Sequence, residues 1–157
     1  MKNKADNPGV KIPPPLIYVL IFVVSVLIEK AVPISFASLR STTFRYAGAV
    51  LILSGLLFMV PAVSQFIRSK NTLVPVRPAN SLQTNGVYSV SRNPMYLGWL
   101  ILYIGLIPIV GNWWSLIFAI IVIVAVTYLV IKPEEQYLRR RFGESYLSYT
   151  SKVRRWI

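Results

Sequence analysis

Four long apolar runs, at residues 16–28, 46–66, 94–110 and 115–131, constrain this chain more than any other feature of it. They are apolar in long stretches, not in the one-sided stripes of a surface helix, so they read as membrane spans. The first run is short. Thirteen helical residues reach only about 20 Å, so that span must borrow neighbours on either side. The third and fourth runs are separated by little more than Gly111-Asn112. If both are helices, that turn folds them into a hairpin. The expected fold is an all-α integral membrane protein with about four transmembrane helices and a C-terminal amphipathic helix at the interface, forming one membrane-embedded domain over residues 1–157.

Charge placement supports this reading. The chain is 55% hydrophobic, with 17 Lys and Arg against 5 Asp and Glu, a net charge of +12. In a soluble protein that excess would point to nucleic acid. Here the cations flank apolar segments, so positive-inside anchoring against anionic headgroups is the better reading, and no nucleic-acid partner is expected. With four spans, fourteen of the 17 cations fall on one side, leaving Lys30, Arg40 and Arg45 on the other. Both termini and the loop at 67–92 are therefore expected in the cytoplasm, with the plasma membrane of a prokaryote as the expected location. Lys2, Lys4 and Lys11 before an apolar run mimic a signal peptide, but no small-x-small cleavage site follows, so the segment reads as a retained span.

The chain contains no Cys and no His. Disulfides, thiolate nucleophiles, His bases and the usual zinc sites are excluded, and no metal is expected. Catalysis must rest on Arg, Lys, Glu, Asp, Tyr, Asn, backbone groups or a cofactor.

In chain order, Pro13-Pro14-Pro15 predicts a stiff extended lead-in. Glu29 and Lys30 read as a span end that snorkels or pairs, with a membrane-embedded functional acid as the alternative. Gly48 and Gly55 either admit a closely packed helix or are tolerated glycines of a membrane helix, and Pro61 is a candidate kink. Pro75, Pro78 and Asn85-Gly86 break up the long polar connection at 67–92. Pro94 suits the first turn of the third span. Trp113 and Trp114 sit where interfacial aromatics belong. Beyond the fourth span, Pro133 predicts the start of a new helix, with Glu134 and Glu135 at the positive end of its dipole. Leu138, Phe142, Tyr146, Tyr149, Val153 and Trp156 form one helical stripe that Gly143 could interrupt, which predicts a helix lying on the membrane surface.

Two polar clusters stand apart from this scaffold: residues 86–98, rich in aromatic and basic groups, and Lys132-Pro133-Glu134-Glu135. The hairpin predicts that they meet at one membrane surface. Singly, Arg92 reads as an anchor, Tyr96 as an interfacial aromatic and the Glu pair as helix-start acids. Jointly, Leu82-(x)3-Gly86-x-Tyr88-(x)3-Arg92-Asn93-Pro94-x-Tyr96-x-Gly98 resembles the core motif of the isoprenylcysteine carboxyl methyltransferase family. Glu134-Glu135-(x)2-Leu138-(x)3-Phe142-Gly143-(x)2-Tyr146-(x)2-Tyr149, with Val153-Arg154 beyond, is similar to that family's C-terminal signature. The resemblance covers roughly residues 72–157.

The resemblance implies an enzyme using S-adenosyl-L-methionine in a cytoplasmic pocket closed by the C-terminal segment, with a lipid or lipid-like substrate reaching it sideways from the bilayer. Carried onto this chain, it implies catalytic roles for Arg92 and Glu134. It implies cofactor binding by Tyr88, Asn93, Pro94, Tyr96, Leu97, Glu135 and Tyr146. Asn93 stands where many members have His, Pro133 directly precedes the Glu pair, and only four spans are evident. A prenylcysteine carboxylate is the expected acceptor, because it needs no deprotonation and Arg92 matches its geometry. The alternatives are a phospholipid amine or small thiol acceptor, an NADPH-dependent reductase with a similar Arg-(His/Asn)-Pro-x-Tyr element, and a small four-helix transporter relying on Glu29.

Overall fold

The computed structural model describes residues 7–34, 41–70 and 79–157. The first six residues with Lys2 and Lys4, Arg40, Pro75 and Pro78 lie outside the described residues. All regular structure in the described residues is helical: α1 (Pro14–Ala31), α2 (Thr42–Arg68), a 3-10 turn (Gly86–Ser89), α3 (Pro94–Val110), α4 (Trp114–Val126), a π-helical turn (Thr127–Ile131), α5 (Lys132–Phe142) and α6 (Glu144–Lys152). α4, the π turn and α5 form one continuous helix, Trp114–Phe142. That helix, α1 and α2 are each long and apolar enough to cross a bilayer; α3, at 17 residues, is shorter, near the lower limit for a span.

α1 pairs with α4 and α2 with α3, while the α3–α4 turn brings the pairs together. The core lies between them: Val122, Val126, Val130 and Ile131 are fully buried, with Ile17, Tyr18, Leu100 and Tyr103 around them. Leu53, Leu57 and Ile120 point outward, Leu57 being 72% exposed. An apolar exterior around an apolar core is what a lipid solvent calls for.

Gly48 and Gly55 are packing devices. A Cβ on Gly48 would lie 2.6 Å from the Gly105 carbonyl oxygen, and one on Gly55 would lie 2.9 Å from that of Gly98. The two pairs sit seven residues apart on antiparallel helices, so the α2 and α3 backbones touch at two successive crossings. Small residues permit this approach, and dispersion contacts along it hold the pair in lipid. α2 runs through Pro61 without ending.

Two expectations change. Pro14 and Pro15 are the first turn of α1 and not an extended lead-in, with Pro13 as N-cap; missing N–H groups cost nothing there. As expected of the short first run, α1 borrows residues beyond Ile28, and Glu29 and Lys30 fall in its last turn, where Glu29 Oε1 accepts the Ile34 N–H at 3.2 Å. Pro133 does not begin a separate helix: the fourth span continues through it. Proline cannot donate to the carbonyl four residues back and its ring crowds that carbonyl. The π turn just before it absorbs the misfit, with the Lys132 N–H bonded to the Thr127 carbonyl five residues back.

At the end of the bundle away from the two polar clusters, Gly111 takes the left-handed conformation (φ 73°) that closes α3. Asn112 Nδ2 donates to Ser25 Oγ at 2.9 Å and to Ser115 Oγ at 2.8 Å. Trp114 Nε1 donates to the Val32 carbonyl at 2.8 Å. These bonds tie α1 to the hairpin, a structural use for both turn residues.

Candidate active site

The hairpin brings residues 88–96 and 134–135 together at one end of the bundle. Buried Ser91 organises the first cluster: its Oγ accepts the Asn93 N–H at 3.1 Å and lies 3.3 Å from the Arg155 carbonyl, to which it donates. Asn93 is the N-cap of α3 and Pro94 its first residue. Tyr96 follows in the first helical turn, and its hydroxyl donates to Glu134 Oε1 at 2.8 Å. The Tyr96 carbonyl in turn accepts the Tyr18 hydroxyl from α1 at 2.8 Å. Opposite, the π turn supplies the second cluster. One extra residue per turn advances everything beyond it by about 100° around the helix axis. This rotation faces Glu134, Glu135, Tyr137 and Leu138 toward α3 and the loop.

The two adjacent acids have different environments. Glu135 is gripped through both oxygens by Arg155, with Nε at 3.0 Å from Oε1 and Nη2 at 2.6 Å from Oε2. Arg92 Nη2 adds a third contact to Oε1 at 3.2 Å. Glu134 has the Tyr96 hydroxyl and, among the described residues, no cation within salt-bridge distance. The surrounding phenols stay neutral. Burial pushes Tyr146 up to about 12, an effect that Glu135 reinforces and Arg92 opposes. Burial also raises Tyr88 and Tyr149, while its bond to Glu135 raises Arg155 further.

These side chains surround a partly open pocket. Arg92, Glu134, Tyr88, Asn93, Pro94, Tyr96, Glu135 and Tyr146 all line it. Leu97 does not: it is buried on another face of α3. The Asn93 amide, where His would be common, donates to the Arg155 carbonyl at 3.0 Å. The C-terminal stripe also departs from the expected single surface helix. Gly143 (φ 51°) breaks it, and Tyr146, Tyr149 and Val153 turn inward against Leu82, Leu138 and Phe142. The Tyr149 hydroxyl donates to the Tyr88 carbonyl at 2.6 Å, fastening α6 over the loop.

Sequence reasoning gave no site role to Tyr18, Ser91, Tyr137 or Arg155. Tyr137 is buried and its hydroxyl accepts the Ala79 N–H at 2.8 Å, anchoring the loop before α3. Tyr18 carried a weak signal as a hydroxyl inside an apolar run. Arg155 carried none, being one cation among several near the C-terminus. Among the described residues no group of acids could hold a metal ion.

Among the described residues, the site combines an apolar, aromatic pocket with one carboxylate free of cations and one guanidinium-bound carboxylate. That combination suits a cationic cofactor beside an anionic acceptor. Comparison with known proteins agrees in class. The profile of the phospholipid methyltransferase family matches residues 44–145. Protein-S-isoprenylcysteine O-methyltransferase B of Arabidopsis thaliana is 30% identical over 139 residues, covering 87% of this chain and 71% of that protein. Protein-S-isoprenylcysteine O-methyltransferase of Schizosaccharomyces pombe is 36% identical over 72 residues, 46% of this chain and 30% of that protein. An uncharacterized Haemophilus influenzae protein is 36% identical over 63 residues, 40% of this chain and its own full length. No solved structure matches. The chain is a membrane methyltransferase and belongs to the phospholipid methyltransferase and isoprenylcysteine carboxyl methyltransferase family.

Proposed function

We infer that the protein transfers a methyl group from S-adenosyl-L-methionine to the carboxylate of a prenylcysteine-type lipid at the cytoplasmic face of its membrane. The observation that carries this reading is the division of labour between the adjacent acids. Glu134, held by a phenol and, among the described residues, by no cation, is the group suited to a ligand's positive charge. Arg92, set on Glu135, is suited to an acceptor's carboxylate. This changes the roles that the family resemblance suggested for the two acids: Glu134 becomes the cofactor contact, and Glu135 the counter-ion shared by Arg92 and Arg155.

When bound, the cofactor would supply an electrophilic methyl on a sulfonium, with its sulfide as the leaving group, and a carboxylate acceptor would need no proton removed. The protein's part is alignment and exclusion of water. Tyr96 orients Glu134 toward the pocket, and the rings of Tyr88 and Tyr146 offer faces to a cation. Pro94, Met95, Leu138 and Phe66 contribute the apolar wall. Arg92 steers the acceptor. A lipid acceptor already lies at the depth where the spans meet the surface, which removes much of its orientational search. The charge asymmetry of the loops supports a cytoplasmic pocket, and exposed Arg139, Arg140 and Arg141 suit anionic headgroups.

A second reading, methylation of a phospholipid amine, draws on the name of the matching family. It must supply a base to take the amine's proton, and the chain has no His. The experiment is turnover of labelled S-adenosylmethionine on a prenylcysteine analogue, the same head group without its isoprenoid, and phosphatidylethanolamine. Preference for the prenylated carboxylate supports the reading; equal use of the short soluble analogue or preference for the amine contradicts it.

A further inference from the structure

The C-terminal strap at residues 153–157 touches both halves of the site, and one residue does most of the joining. The Arg155 carbonyl accepts from Asn93 and Ser91, and the Arg154 carbonyl accepts the Arg92 N–H at 3.0 Å. From the same residue the guanidinium reaches across to take both oxygens of Glu135. Val153 and Trp156 on either side are packed into the protein, so the strap is fixed and Arg155 has little freedom to swing away.

The consequence falls on Arg92. Two guanidinium groups share one carboxylate, but unequally. Arg155 makes the bidentate contact with planar fork geometry. Arg92 is left with one Nη2 contact at 3.2 Å, and its Nε is buried with no partner among the described residues. The triad of Arg92, Glu135 and Arg155 carries one net positive charge. Without Arg155, Glu135 would be free to take Arg92 in a two-pronged grip, consuming donors and cancelling that charge.

We propose that Arg155 is a positioning residue: by occupying both oxygens of Glu135 it keeps the cluster net positive and the Arg92 guanidinium available to bind the carboxylate of the methyl acceptor. The proposal rests on the function inferred above and deepens it by naming what makes the acceptor site selective for an anion. It also gives Asn93 a role in this chain, that of seating the Arg155 backbone through its amide.

The test is binding of a prenylcysteine analogue with a free carboxylate, and of its carboxamide, to the full-length protein in detergent without cofactor. S-adenosylhomocysteine binding is measured in parallel as a check on the neighbouring subsite. Arg155→Ala is expected to weaken the carboxylate analogue roughly tenfold or more, the effect of losing a hydrogen bond to a charged group. The carboxamide and S-adenosylhomocysteine should change by less than about threefold, the effect of a few tenths of a kcal/mol on a neighbouring contact. The decisive variant is the double one, Arg155→Ala with Glu135→Gln. Removing the competing carboxylate frees Arg92 again, so carboxylate affinity should recover toward wild type. If Arg155 merely fastened the strap, the second substitution would restore nothing and affinity would stay as low as in Arg155→Ala. A double variant no better than Arg155→Ala, or an Arg155→Ala protein with unchanged carboxylate affinity, overturns the proposal while leaving the methyltransferase reading intact. Wild-type protein that binds neither S-adenosylhomocysteine nor the carboxylate analogue overturns both.

Discussion

Gly98 and Gly105 both sit on the α2–α3 seam, and the same substitution at each should separate stability from function. A Cβ at Gly98 would lie 2.8 Å from Met59 Cβ, 2.9 Å from the Gly55 carbonyl oxygen and 3.1 Å from the Met59 nitrogen. At Gly105 it would meet the Gly48 carbonyl oxygen at 2.8 Å, Ile52 Cγ1 at 2.9 Å and the Ile52 nitrogen at 3.0 Å. Each site includes two backbone atoms of α2, which cannot rotate away. Relaxing 2.8 Å to the 3.4 Å of ordinary contact requires the helices to part by about 0.6 Å. Overpacking of this kind costs about 1–3 kcal/mol, against which alanine regains up to about 1 kcal/mol of helix propensity. The net expectation is a loss of roughly 0–2 kcal/mol at either site. The effect on the pocket differs. Gly98 is two residues from Tyr96, whereas Gly105 is about 10 Å further along the axis. Both variants should unfold at lower temperature in detergent, but only Gly98→Ala should weaken S-adenosylhomocysteine binding beyond the stability loss. Raised melting temperatures in both would mean that these glycines are merely tolerated. Equal effects on ligand binding would mean that the seam does not position Tyr96.

Other perturbations probe other links. Glu134→Gln should weaken S-adenosylhomocysteine binding by about ten- to a hundredfold, the loss expected for a charged hydrogen bond. Tyr96→Phe should weaken it less because the carboxylate remains; titration calorimetry with both variants folded checks the order. Pro133→Ala restores a donor for the Leu129 carbonyl and should let the π turn relax toward α-helix, lowering cofactor-product affinity without lowering the melting temperature. Unchanged affinity would show that the rotation does not depend on Pro133. Single Cys residues at the exposed positions Ser89 and Ser151 should react with impermeant thiol reagents from the cytoplasmic side, and one at exposed Val110 from the other. Matching sidedness for Ser89 and Val110 would break the hairpin topology.

The spans were legible in the sequence because a bilayer demands long apolar helices, and the bounds of α3 followed from Pro94 at one end and Gly111 at the other. The meeting of Arg92 and Tyr96 with Glu134 and Glu135 was legible because a two-residue turn leaves the hairpin little choice. The continuity of the fourth span through Pro133 was not. Periodicity arguments assume 3.6 residues per turn, and the π turn before Pro133 departs from that period. Nor was the inward face of α6, since an apolar stripe has the same pattern whether it meets lipid or protein; Gly143 signalled a break but not its direction. Arg155 could not be told from Arg154 by composition. The two differ in what the strap brings near them, a tertiary property carried by Ser91 and Asn93.

The most direct measurement is the chemical form of the product. Purified protein is incubated with methyl-labelled S-adenosylmethionine, a prenylcysteine analogue and phosphatidylethanolamine, and the labelled lipid is treated with mild base. A label released as methanol is a methyl ester, the outcome expected if Arg92 presents a carboxylate to the methyl donor. A label that stays non-volatile through base, as an N-methyl group would, or the absence of transfer to either acceptor, would contradict the account.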